Sequence, residues 1–188
     1  GLPFRPALQS ALPNARLIAE DLGYVTAEVA ALRRAAGLPG MKVLQFGYGH
    51  DDNHVNLPHF FPQESVVYTG THDNDTTRGW LGSLSKPDYR QVASYFGLHG
   101  AKSAWPLIQT AFACVSRLAV VPIQDLLDLP SRARLNRPGT TEGNWQWRFS
   151  INDLGKLKRS RLKTLQQWHR QYDRSGDDRQ REYSAPPT

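Results

Sequence analysis

Apolar positions along this chain fall into two periods, and the two alternate. Four short runs, at 17–19, 41–46, 66–69 and 118–123, are mostly aliphatic and β-branched, as in Val66-Val67-Tyr68-Thr69. Such runs are typical of buried strands in a parallel sheet. Between them the apolar residues recur three and four positions apart, the period of a helix. Residues 5–13 form a short helix with Leu8 and Leu12 on one face and Pro13 just beyond. Thr26 caps a helix that carries Val29, Leu32 and Ala36 and is ended by Gly37 and Pro39. Two more helices are predicted near 87–96 and 104–118, the second with Leu107, Ile108, Ala111, Phe112, Val115 and Leu118 as its stripe. A basic amphipathic helix spans about 153–172, with Leu154, Leu157, Leu162, Leu165 and Trp168 as its apolar members. The charged, aperiodic residues 173–188 are expected to be a disordered tail.

Strands alternating with helices predict an α/β fold of parallel βαβ units. Each predicted strand delivers polar residues at its C-terminal end, which suits either an open sheet or half of a (β/α)₈ TIM barrel. No glycine-rich phosphate loop supports a nucleotide-binding open sheet. Half a barrel would leave two apolar sheet edges without neighbours.

Composition narrows the class. A chain of 188 residues with 39% hydrophobic content and five Trp can bury a sizeable core, here one domain over 1–172. Its single cysteine, Cys114, excludes an internal disulfide, fits a reducing compartment, and falls where a packing role is expected. No signal-like segment and no apolar run of about 18 residues is present, so a soluble, cytoplasmic protein without a membrane partner is expected. The net charge of +6 comes largely from Lys156, Lys158, Arg159, Arg161, Lys163, Arg170, Arg174, Arg179 and Arg181. That clustering reads as the solvated face of a terminal helix plus its tail rather than as a nucleic-acid surface.

Two strand ends carry candidate chemistry. The run at 17–19 leads into Glu20-Asp21-Leu22-Gly23, and the run at 66–69 leads into Gly70-Thr71-His72-Asp73-Asn74-Asp75. Two carboxyls projecting across one pocket are what glycosidic bond cleavage requires, one protonating the leaving oxygen and the others serving the electron-poor sugar carbon. Glu20 suits the acid, because partial burial tunes a Glu toward neutral pH. Acidic residues at loop starts also serve as caps, and Asp21 and Asp75 are assigned to bracing their loops.

Several ungapped blocks now carry a specific resemblance. Ile18-Ala19-Glu20-Asp21-Leu22-Gly23, Leu38-Pro39-Gly40-Met41-Lys42-Val43-Leu44-Gln45-Phe46, residues 68–75, Asn136-Arg137-Pro138-Gly139-Thr140 and Gly143-Asn144-Trp145-Gln146-Trp147-Arg148 resemble the 4-alpha-glucanotransferases (amylomaltases, or disproportionating enzymes; glycoside hydrolase family 77). The resemblance covers about residues 1–170. It implies a (β/α)₈ barrel that transfers α-1,4-glucan segments between malto-oligosaccharides with retention, and it implies no metal and no cofactor. By motif, Glu20 resembles the general acid/base and Asp73 the carboxylate that stabilises the transition state. His72 resembles the histidine bonded to the glucose at the cleavage point, while Phe46 and Asn144 correspond to positions near substrate. The family's nucleophilic Asp belongs to a strand before the one bearing Glu20. The resemblance therefore implies the C-terminal half of the barrel, strands five to eight, inert and poorly soluble without its N-terminal half as partner.

Other readings of single features are bounded by the same residues. His50, Asp51, Asp52, Asn53, His54 and His59 include legitimate metal ligands but lack the fixed spacing of structural sites, which favours a solvated loop. Trp80, Trp105, Trp145 and Trp147 could serve a non-catalytic carbohydrate-binding protein as stacking platforms. The alternation of Trp145 and Trp147 predicts one exposed ring and one buried ring.

Overall fold

The computed structural model describes residues 4–48 and 56–174. Three parallel strands form one sheet in the order β1 (Gly40–Val43), β2 (Ser65–Tyr68), β3 (Leu118–Val120). Gly40 pairs with Ser65 and Val43 with Tyr68, while Val66 pairs with Leu118 and Tyr68 with Val120. The central strand is buried on both faces, with Val66 and Val67 at 2% and 0% exposure, as its uninterrupted apolar run predicts.

Helices account for the rest. α1 (Phe4–Ala11) and α2 (Ala27–Ala35) precede the sheet, and Thr26 caps α2 by accepting the Val29 N–H at 3.4 Å. Between β2 and β3 the chain makes three helices, α3 (Thr77–Ser83), α4 (Lys86–Phe96) and α5 (Trp105–Ala113). Leu81, Val92, Phe96, Leu107 and Ala111 from these helices pack with Leu44 and Val67 of the sheet side in one core cluster. Cys114 packs at the margin of the same cluster. After β3 come α6 (Ile123–Leu126), α7 (Ile151–Gly155) and α8 (Arg159–Gln171). A second cluster joins Ala104 and Ile108 to Trp168, with Phe112, Val121, Leu126 and Leu165 around it.

Several elements differ from expectation. The segment at 17–19 forms no ladder; Ala19 N–H makes one bond to the Pro39 carbonyl at 3.0 Å. The next rung is taken by a side chain, since Met41 N–H donates to Asp21 Oδ1 at 2.7 Å. Arg33 holds the other oxygen of Asp21 at 3.1 Å, so Asp21 braces its loop. The run at 41–46 leaves the strand after Val43 and tightens into a 3-10 turn at Leu44–Gly47, which buries Gln45. The helix expected at 104–118 stops at Ala113, and Arg174 lies over its end. The Arg174 guanidinium donates to the carbonyls of Ala111 (3.1 Å), Phe112 (2.9 Å), Cys114 (2.5 Å) and Ser116. The helix expected at 153–172 is two: α7 starts at Ile151, where Asp153 Oδ2 accepts the Ser150 N–H and hydroxyl, and ends at Gly155, a poor helix former, before α8 begins at Arg159. Residues 175–188 lie outside the described residues. No helix among the described residues is long and apolar enough to cross a membrane.

Candidate active site

Because Val43 pairs with Tyr68, the exits of β1 and β2 lie side by side. The chain leaving β2 forms a loop over 69–77 that is folded largely by its own side chains. Asn74 Oδ1 accepts both the Thr71 N–H and the Thr71 hydroxyl at 2.8 Å, and Asp75 Oδ1 accepts the Thr76 N–H at 2.8 Å. From outside, Gln45 Nε2 donates to the Asp75 carbonyl at 3.1 Å and Ser131 Oγ to Asp75 Oδ2 at 2.7 Å. Asp75 thus braces the loop, as its sequence position suggests. Gly79, one turn into α3, has no room for a Cβ, which would collide with Ser131 Oγ and the Asp75 carboxylate.

His72 and Asp73 stand half exposed in this loop. His72 Nε2 lies 3.3 Å from Asp73 Oδ1, and Asn136 Nδ2 donates to the same oxygen at 2.5 Å. The segment around Asn136 also grips the backbone. Arg134 donates to the Asp73 carbonyl at 2.6 Å, Asn136 N–H to the His72 carbonyl at 3.1 Å, and Arg134 Nε to the Asn136 carbonyl at 2.8 Å. Trp145 completes the group, its ring centre 5.1 Å from that of His72 and the planes 36° apart. Its positive φ of 60° is held by a bond from its N–H to the Leu135 carbonyl at 2.7 Å, and the side chain is half exposed. A flat apolar ring beside a carboxylate, an imidazole and an amide matches the two surfaces of a sugar, C–H faces and hydroxyl edges.

The other predicted residues are placed as follows. Glu20 is exposed, one residue beyond the Ala19–Pro39 bond and therefore beside the start of β1. Among the described residues no hydrogen bond or ion pair joins it to His72, Asp73 or Asn136. Phe46 is exposed on the turn at the exit of β1. Asn144 works inside its own loop, donating to the Thr140 carbonyl and hydroxyl at 2.9 and 3.0 Å and accepting the Arg137 N–H at 2.8 Å. Both of its amide hydrogens are thus occupied. Trp105 and Trp80 are not platforms: Trp105 packs 5.8 Å from Trp168, and Trp80 lies against the main core. Trp147 is half buried and stacks 5.9 Å from Phe149, while Trp145 is the more exposed of the pair. The His50-to-His54 metal candidate lies outside the described residues, and His59 shares a 2.7 Å hydrogen bond with Tyr95. Among the described residues, no cluster of three His, Cys, Asp or Glu could hold a metal ion.

Three contributors escape a reading of local sequence. Arg134 and Asn136 reach Asp73 across more than sixty residues. Asp125, at 1% exposure, accepts from Thr69 Oγ1 and Thr77 Oγ1 at 2.6 Å each and from Thr77 N–H at 2.7 Å. Burial pushes its carboxyl above the usual range, against the opposing pull of those hydrogen bonds.

The family model for 4-alpha-glucanotransferase matches residues 4–153. The chain belongs to the 4-alpha-glucanotransferase family. Among curated 4-alpha-glucanotransferases, that of Synechocystis is 45% identical over 157 residues, covering 82% of this chain and 31% of the relative. That of Thermus thermophilus is 42% identical over 166 residues, covering 84% and 33%. The chloroplastic/amyloplastic 4-alpha-glucanotransferase of Arabidopsis thaliana is 43% identical over 144 residues, covering 76% and 25%. The solved amylomaltase of Streptococcus agalactiae in complex with acarbose superposes with a TM-score of 0.80 at 32% identity, over 90% of this chain and 34% of that one. This 4-alpha-glucanotransferase family chain therefore spans about a quarter to a third of the length of the relatives it matches.

Proposed function

We propose that this chain forms part of the active site of a 4-alpha-glucanotransferase, which moves α-1,4-glucan segments between malto-oligosaccharides with retention of configuration. The observation that carries this reading is the Asp73 group: a carboxylate at a parallel-strand exit, held by His72 and Asn136, beside the exposed Trp145 ring. Asp73 grips sugar hydroxyls and stabilises the oxocarbenium-like transition state. Glu20 protonates the departing glycosidic oxygen and later takes the proton of the acceptor hydroxyl. His72 bonds the glucose at the cleavage point, and the Phe46 ring flanks it. Asn144 reaches substrate only through the remaining lone pair of Oδ1. Retention requires a further carboxylate as nucleophile, which this reading assigns to a strand outside these 188 residues.

In this reading the chain supplies the region of strands five to eight of a (β/α)₈ barrel, in a cytoplasmic enzyme. The segment at 17–19 stands at the position of the first, although Asp21 interrupts its ladder. The one cysteine of these 188 residues fits a reducing compartment. Support comes from the parallel order with β1 and β3 at the edges, and from the length of the relatives. The N-terminal half of the barrel is the partner, and the 188-residue chain alone is inert. The test is titration of this chain with acarbose, followed by Trp fluorescence. Saturable quenching that is lost in Asp73→Asn is expected, and no response in the unmodified chain overturns the site. Glucose released from maltotriose by the chain alone overturns the inertness. The half-exposed Trp145 also favours a second reading, a carbohydrate-binding protein without turnover. Binding without glucose release, after the remaining strands are supplied as a second polypeptide, would select it.

A further inference from the structure

The buried carboxylate of Asp125 takes no part in the group just described, yet it joins both ends of the loop that carries it. Thr69 opens that loop at the exit of β2, and Thr77 closes it as the first residue of α3. Their two hydroxyls converge on one oxygen, Asp125 Oδ2, at 2.6 Å each, and the Thr77 N–H takes Oδ1 at 2.7 Å. Asp73 stands midway, four residues from either threonine. From α6, where Asp125 sits, the chain runs on to Ser131, Arg134 and Asn136, which hold Asp75 and Asp73 from the other side.

We propose that Asp125 is a positioning residue for Asp73 and His72, fixing the width of their loop and its distance from the 131–136 segment. The proposal rests on the reading of Asp73 and His72 as substrate-binding groups. Among the described residues no cation pairs with Asp125, so its burial carries a desolvation cost that an amide or an apolar contact would avoid. What the carboxylate offers is geometry, because a single oxygen accepts from both loop ends and the spacing of the two hydroxyls is set by one atom. A Glu at this position would move that oxygen by about 1.5 Å, one C–C bond, and so displace the loop while keeping a carboxyl group.

The test uses the 188-residue chain with ¹³C-labelled Asp and His, reading the Asp73 carboxyl and His72 ring signals alongside maltotriose affinity by Trp fluorescence. Asp125→Asn, Asp125→Glu and Thr69→Val are expected to shift both signals and weaken maltotriose binding about tenfold, the order of one lost hydrogen bond. Thr69→Ser, which keeps the hydroxyl, is expected to restore both. Signals and affinity that stay at their original values in Asp125→Asn and Thr69→Val, with only thermal stability lowered, would overturn the proposal and leave Asp125 a stability element. Should Asp125→Asn fail to fold, the Thr69→Val and Thr69→Ser pair decides alone. If the unmodified chain does not bind maltotriose, the active-site reading fails, while the Asp73 and His72 signals still decide whether Asp125 positions them.

Discussion

Asp73 and Asp125 are the same residue in opposite surroundings, one half exposed at a loop tip and the other sealed beneath it. Burial raises the Asp125 carboxyl above 3.8, so the folded chain holds this proton more readily than the unfolded chain does. Its contribution to stability is then fully present below about 3.8 and is lost as pH rises through the raised folded value. A series of thermal melts from pH 3.5 upward should show unmodified protein losing stability relative to Asp125→Asn as pH increases; a constant difference would contradict this. His72 and Asp73 were legible in the sequence because a polar cluster follows directly on a β-branched run. Asn136 was not, because nothing local ties it to a residue sixty-three positions away. Asp125 was hidden differently. Its partners Thr69 and Thr77 read as a strand residue and a turn residue, and only the fold shows that their hydroxyls share an acceptor.

Among the elements, α4 shows what local signals can specify. Ser85 accepts the Asp88 N–H, Pro87 fits the first turn, and Gly97 ends the helix in the left-handed region at φ 66°. A Cβ at Gly97 would meet nothing within 4 Å, so Gly97→Ala tests backbone conformation alone. The expected cost is about 1 kcal/mol in chemical denaturation, with the denaturant dependence unchanged. The segment at 17–19 failed as a strand for a reason composition cannot reveal, the capture of a ladder donor by the Asp21 side chain. The seven-residue α3 has no clear sequence signal, because Gly79 and Gly82 mask a helix nucleated by the Thr76 cap. The helix beyond 104 is shorter than its apolar spacing implies, because Val115 and Leu118 continue that spacing after the backbone has turned away.

At the scale of the molecule, the sheet has β1 and β3 at its edges, and large apolar side chains stay exposed nearby. Leu118 of β3 is 48% exposed, and Ile18, beside β1, is 41% exposed. Unpaired edges and bare apolar surface favour association. Light scattering coupled to gel filtration should show the isolated 188-residue chain gaining mass as its concentration rises; a monomer at every concentration would mean the edges are protected. Arg174 links the far end of the described chain to the middle of the fold, its guanidinium spread over four carbonyls where α5 finishes. It acts as a stopper inserted from the residues just beyond α8 into the mouth of α5, and that has a practical consequence for anyone trimming this protein. A chain cut after Tyr172 uncorks α5 and frees the last turn of α8 together. We expect that truncation to lose about 2 kcal/mol relative to one ending at Arg174, measured as a lower melting temperature. Affinity tags and protease sites on that side therefore belong beyond residue 174.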